Sequence, residues 1–453
     1  MKRNWLIAAV MMLALCAGPA VRSAFAQEAK QTPSYTTAEY NAFQAAINEK
    51  DATQRIKLLD NFIAKYPIST LLPYVYRDQL VAYASLKNNL KVMEIADRIL
   101  GIGDKIDSMQ GLESARLQAF VLRAQVFFPA LNLHQLTSDE QFAAARGAAA
   151  QGLQFLGQVK KPENVSDEQF ILQSNSLKVL FNSVTGFAAR QAKDYTGAID
   201  AFRAALAITP NDASLYYQIG LSSLQQEPPQ MMDGFWAIAR SIALKAQGEA
   251  QIRGYLKNQL IRYQNPVCES LIDAELNELI TLAGTTADRP AGFSIPTRSD
   301  LDKALQASGT VDAIVNGLKA GGDTSKLTWL SACGAEFPEL GGKVFEVAAA
   351  EGSVVLKVFT ASTEEAITAG TEPNLEVHVA GEPRARLLKK DDLFAFSATL
   401  KSFTPEPFLL VVDKAKVRED TLPAEEKPPA KAPAKKAPNK RPPTKRPPAS
   451  GVR

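Results

Sequence analysis

Histidine is almost missing from this 453-residue chain, which has only His134 and His378. That scarcity excludes histidine-rich metal sites and leaves two candidates for any Ser-His-Asp arrangement. Neither has a nucleophile motif beside it. His134 follows Leu131, Asn132 and Leu133 in a Leu-rich helical context, and His378 lies on a strand face. No Gly-x-Ser-x-Gly occurs, and the glycine-rich stretch from Gly101 to Lys105 lacks the spacing of a phosphate loop. Acidic pairs such as Asp391 and Asp392 read as ordinary loop residues. The expectation is a protein with no active site, no metal and no cofactor.

Long apolar runs are equally scarce. The run from Trp5 to Cys16 follows Lys2 and Arg3 and precedes Ala24, Phe25 and Ala26, a small-x-small cleavage site. This is the pattern of an export signal over residues 1–26, with the mature chain starting at Gln27. The run falls short of the ~20 apolar residues that span a bilayer, so no transmembrane segment is expected in the mature chain. Acylation of Cys16 would want a small residue before it, and Leu15 stands there, so lipoprotein anchoring is not expected. The chain should reach the periplasm or the exterior. Three cysteines in all leave two after cleavage, Cys268 and Cys333. In a compartment that permits disulfides they could pair, or remain two buried thiols.

Charge is informative once the chain is divided. The formal charge is +3, the first 26 residues carry three bases and no acid, and residues 421–453 carry six Lys and three Arg against two Glu. The body between them is therefore near −7 and the tail +7. From Pro423 onward the chain is Pro, Lys, Ala and Arg, with nothing to build a core, so a disordered tail is expected. Its Lys435, Lys436, Lys440, Arg441, Lys445 and Arg446 are candidates for contact with an anionic envelope surface or glycan.

What the sequence has in quantity is helical periodicity. From Asp194 to Ile208, Ala198, Ile199, Phe202, Ala205 and Leu206 recur at steps of three and four. Thr209, Pro210, Asn211 and Asp212 stop that helix, and a second starts at Ala213 with Tyr216, Ile219 and Gly220 on one face. Small residues beside large ones at this spacing describe helices packed closely on each other. Gly186 precedes Gly220 by 34 residues, in a helical segment from Leu180 to Gln191. On these residues the stretch resembles the tetratricopeptide repeat (TPR) family. Ala198, Phe202, Ala205 and Pro210 match its second helix, while Tyr216, Ile219 and Gly220 match the first helix of the next repeat.

Weaker copies flank these two, at Ile56–Pro67, Leu90–Leu100 and Gly234–Leu244, whereas Gly111–Gln158 shows helical stripes without repeat residues. The resemblance implies an α-solenoid of stacked helix pairs over residues 27–283. It further implies a groove walled by first helices that takes a protein or peptide partner. Carried onto this chain, the family's groove positions are Phe187, Arg190 and Gln191 with Tyr217, Leu221 and Gln225. Phe187 and Tyr217 could equally pack between repeats.

Gly, Pro, Ser and Thr then gather from Gly284 to Asp300, which predicts a linker with a helical segment over 284–341. From Gly342 the period becomes two. Lys343–Val347 and Ser353–Phe359 flank a turn at Glu351 and Gly352, followed by runs at Leu375–Val379, Phe394–Lys401 and Phe408–Val417. Five short strands over 342–420 are similar to a small OB-like β-barrel, a fold that often binds oligonucleotides or oligosaccharides. Phe394 and Phe396 fall on the apolar side with Ala398 and Leu400, as core residues do. Nucleic acid is not expected as a partner of an exported chain. The reading is a mainly α protein, TPR-like solenoid, small barrel and basic tail, acting as a non-enzymatic scaffold. Binding of an anionic polymer through barrel and tail is the alternative.

Overall fold

The computed structural model describes residues 34–266, 268–307, 309–350 and 353–424. The expected signal, the turn at Glu351 and Gly352, and the basic residues Lys435 to Arg446 lie outside them. The described residues form two compact units, 34–262 with 272–295, and 263–271 with 296–424.

The first unit is a run of antiparallel helix pairs. They are α1 (Thr37–Asn48) with α2 (Ala52–Lys65), α3 (Leu72–Ser85) with α4 (Asn89–Ile102), and α5 (Ala115–Gln125) with α7 (Asp139–Leu156), interrupted by the short α6 (Phe127–Asn132). Then come α8 (Asp167–Gln191) with α9 (Tyr195–Leu206), α10 (Ala213–Gln225) with α11 (Met231–Ala243), and α12 (Glu249–Gln264) with α13 (Ser270–Thr285). Each helix from α1 to α5 packs on the next, and the stacking resumes from α7 to α11.

Local chemistry sets the turns. Asp51, Asn88, Ser138, Ser166, Asp194 and Asp212 each accept a hydrogen bond from a first-turn N–H with their side chains. Lys87 and Lys193, each just before such a cap, close the preceding helix in the left-handed conformation at φ 55° and 60°. The pairs Lys87-Asn88 and Lys193-Asp194 are thus the same turn used twice, a repeat signal in the sequence beside the small residues.

Packing explains those small residues. A Cβ built on Gly186 would lie 2.5 Å from the nearest atom of the Phe202 ring, and one on Gly220 would lie 2.4 Å from Ile238 Cγ1 and 2.9 Å from the Gly234 carbonyl oxygen. Ala198, Phe202, Ala205 and Tyr216 are buried in one cluster with Ile199 and Ile219, while Pro210 is exposed in the turn between α9 and α10. Glycine here buys close approach of helices, at positions where any side chain would meet a neighbour.

Residues 284–341, expected as a linker with a helical segment, are shared between the two units. Up to Ile295 they pack on the solenoid unit: Phe293 stacks edge-on with Trp236 at 5.1 Å and Arg289 Nε pairs with Asp233 Oδ1 at 2.9 Å. Beyond, they form α14 (Arg298–Ala307), α15 (Val311–Lys319) and α16 (Gly322–Ala332) of the second unit. Apolar residues are sparse in this polar run, so the sequence gives a helical segment where the structure has three short helices. Those of α15, Val311, Ile314, Val315 and Leu318, join the barrel core.

The barrel consists of β1 (Glu336–Ala350), β2 (Ser353–Phe359), β3 (Leu375–Ala380), β4 (Leu393–Pro405) and β5 (Phe408–Val417), with α17 (Glu364–Ala369) after β2. It is closed in the order β1-β2-β3-β5-β4. Only β3 and β5 are parallel. Its β1 starts at Glu336, before the expected Gly342, because one long strand serves two neighbours. Glu336 to Lys343 pair with β4 and Lys343 to Ala350 pair with β2. Phe394 and Phe396 are 3% and 1% exposed and stack at 4.9 Å inside the barrel, so they are core and not a binding platform. Cys268 and Cys333 are joined by a disulfide within this unit, 65 residues apart in sequence.

Candidate functional site

Among the residues expected to wall the groove, Phe187 belongs to the packing. It meets Phe128 edge-on at 5.2 Å and Phe202 at 5.4 Å, bridging two buried clusters. Its ring also lies under the Arg190 guanidinium at 5.8 Å. Arg190 is half-buried, and among the described residues its side chain has no hydrogen bond or ion pair. Burial pulls its pKa below the ordinary value, and the phenols of Tyr217 and Tyr195 act in the opposite sense.

Tyr217 and Leu221 are half-buried on α10, and Gln191 and Gln225 are exposed at the ends of α8 and α10. Tyr217 also raises the pKa of Tyr255 on α12, where burial is the larger cause. Arg190, Tyr217 and Tyr255 are carried by three successive first helices, α8, α10 and α12, and Tyr217 is near enough to act on the charge of the other two. Tyr195 and Tyr255 are absent from the sequence-based site. Tyr255 has no repeat motif around it, and Tyr195 sits on a second helix. Only the alternation of first and second helices, continued to α12, could have brought Tyr255 in.

A cavity of about 540 Å³ opens along the same helix. Its lining comes from α5, the end of α7 with the loop after it, and the first turns of α8, including Leu117, Val121, Phe155, Phe170 and Leu177. Asp107, from the 3-10 turn Gly103–Ser108 after α4, reaches its edge. These residues lie within or beside Gly111–Gln158, the stretch whose helical stripes carry no repeat residues. The sequence had therefore pointed away from them.

The remaining candidates for chemistry are dispersed. His134 ends α6 in the left-handed conformation at φ 54°. His378 Nε2 sits 2.7 Å from Glu376 Oε1 on the same strand. Among the described residues no group of three or more His, Cys, Asp or Glu could hold a metal ion, and no helix is long and apolar enough to cross a membrane.

Residues 186–226 match the family model of the TPR repeat. That match and the stacked helix pairs define the class: a TPR-like α-solenoid carried in one chain with a closed five-stranded barrel. No curated protein matches the sequence. Among solved structures, the chain is similar to the MamA RS-1 ArsTM double mutant, at 14% identity over 56% of this chain and 96% of that one, with a TM-score of 0.21.

Proposed function

We propose that this protein is an exported, non-enzymatic scaffold whose solenoid holds a protein or peptide partner against its first helices. The reading is supported by one observation: Arg190 is half-buried, has among the described residues no hydrogen bond or ion pair, and sets its guanidinium 5.8 Å from the Phe187 ring, on the helix whose face we assign to the groove. A desolvated guanidinium beside aromatics is an interface anchor, since Arg and Tyr dominate binding energy where water is excluded. The match to the TPR repeat supports a protein as the partner. The Cys268–Cys333 disulfide supports export, because such bonds persist in oxidising compartments.

For the barrel we propose an OB-like fold, on its strand number, closure and order. Its aromatics Phe394 and Phe396 are committed to the core, so the functional weight rests on the solenoid.

The test is crosslinking of the protein in its own compartment, with captured partners identified by mass spectrometry. A partner taken by wild type should be lost from a folded Arg190→Ala/Tyr217→Ala variant. Undiminished capture by that variant would refute the groove as the binding wall.

A further inference from the structure

Arg190 carries a charge that nothing in the solenoid unit answers. It is half-buried, and among the described residues it has no hydrogen bond or ion pair. None of its guanidinium nitrogens is fully buried, so the charge stays open to a ligand. Asp194, the carboxylate nearest in sequence, is already held by Arg146 at 2.7 Å and by the Gly197 N–H at 2.9 Å. Besides burial, the groups that act on the Arg190 charge are the phenols of Tyr217 and Tyr195, with no carboxylate among them. The Tyr217 hydroxyl is a second open donor, since it too has no hydrogen-bond partner among the described residues and is not fully buried.

The helices around this pair are basic. Past their first turns α8, α10 and α12 carry five bases, Lys178, Arg190, Arg253, Lys257 and Arg262, and no acid. Arg253 and Lys257 bond to Asn277 and Asp273 on α13. Arg262, which is exposed, acts on the charge of Tyr255, as Tyr217 does. This excess of positive charge stands in a body whose net charge is near −7.

From this we infer that the groove takes an acidic segment of the partner, with one carboxylate accepting hydrogen bonds from the Arg190 guanidinium and the Tyr217 hydroxyl. The inference rests on the reading of the solenoid as a peptide-holding scaffold, and deepens it by naming the ligand's chemistry. Three physical arguments select this occupant. A guanidinium keeps its charge at any accessible pH, so one that is partly desolvated without a counter-ion is costly, and a carboxylate offsets that cost through short charge-assisted bonds. A basic segment would bring like charge to the site, and a neutral one would leave the charge unanswered. The chain's own residues 421–453, at +7, are excluded on the same ground. Apolar neighbours of the acid would lie on Phe187 and Leu221, which are half-buried beside the two donors on α8 and α10.

The carboxylate can come from an Asp or Glu side chain or from a chain terminus, and the experiment separates them. Two phage libraries of random octapeptides, one anchored at its C-terminus and one displaying a free C-terminus, are selected on the purified full-length chain. Enriched peptides are then synthesised and their affinities measured. They should be acidic, and should weaken at least tenfold either when Asp and Glu are replaced by Asn and Gln or when the C-terminus is amidated. Arg190→Gln should weaken them at least tenfold and Tyr217→Phe about threefold, each with an unchanged circular dichroism spectrum. Arg190→Glu should shift the selection toward basic peptides. Raising salt from about 0.1 M to about 1 M, which shortens the screening length from about 10 Å to about 3 Å, should weaken binding to the wild type more than to Arg190→Gln.

Acidic peptides indifferent to both Arg190→Gln and Tyr217→Phe would overturn the inference. So would neutral or basic peptides that are lost on Arg190→Ala/Tyr217→Ala, and that result would leave the groove reading standing. No enrichment from either library would overturn the inference, and binding of heparin that is lost on Arg190→Gln would overturn the reading with it.

Discussion

Replacing Gly186 by Ala tests the packing argument where two effects of opposite sign compete. In a helix interior Ala is favoured over Gly by about 1 kcal/mol. Against this, the new methyl would lie 2.5, 2.6 and 2.8 Å from three atoms of the Phe202 ring. That ring is fully buried, with Phe187 packed on it edge-on at 5.4 Å, so it has no free direction in which to yield. Overpacking of this kind costs roughly 1–3 kcal/mol, and we expect it to prevail by about 1 kcal/mol. Gly147→Ala is the control: it lies mid-helix in α7 with nothing within 4 Å of its Cβ, and should stabilise by about 0.5–1 kcal/mol. In a unit of this size each kcal/mol moves the melting midpoint by about 2–4 °C, so the two variants should shift in opposite directions. Helical circular dichroism on heating gives the midpoints. Hydrogen exchange over residues 180–206 localises the effect, since repeat arrays can unfold in sections. Phe202→Leu added to Gly186→Ala should recover part of the loss. A Gly186→Ala midpoint raised as far as that of Gly147→Ala would refute the reasoning.

Gly220→Ala should lose more, roughly 3 kcal/mol, because its Cβ meets the Gly234 carbonyl, and backbone cannot rotate away; a urea midpoint that falls by less than that of Gly186→Ala would count against this. Reducing the Cys268–Cys333 bond, or replacing both by Ala, should destabilise the barrel unit by about 4 kcal/mol on the loop-entropy estimate for a separation of 65 residues, read by urea unfolding with Trp329 fluorescence. Equal midpoints with and without reductant would dismiss it. The Asp194 carboxyl is held below its ordinary pKa first by the Gly197 N–H and then by Arg146. Its folded value lies below the unfolded one, so its contribution is complete above about pH 4 and fades as pH falls through the folded value. Asp194→Ala should accordingly cost about 1 kcal/mol at pH 7 and progressively less in acid, and a pH-independent deficit would show that the charge plays no part.

The sequence alone determined what rests on local rules. Helix pairs around Gly186, Phe202, Pro210 and Gly220 were legible because each residue acts on neighbours a few positions away, and the strands because side chains alternate along the chain. It misplaced what depends on partners distant in the chain. The apolar residues of α15 are too few to announce a core until the barrel supplies the other wall, and β1 starts early because two strands share it. Phe187 could not be assigned to packing without Phe128, which lies 59 residues earlier. Tertiary structure also decided the site. Whether a side chain keeps a free hydrogen-bonding group depends on what the fold sets against it, so the half-buried Arg190, with no hydrogen bond or ion pair among the described residues, and the cavity beside α5 emerge only when the helices are stacked.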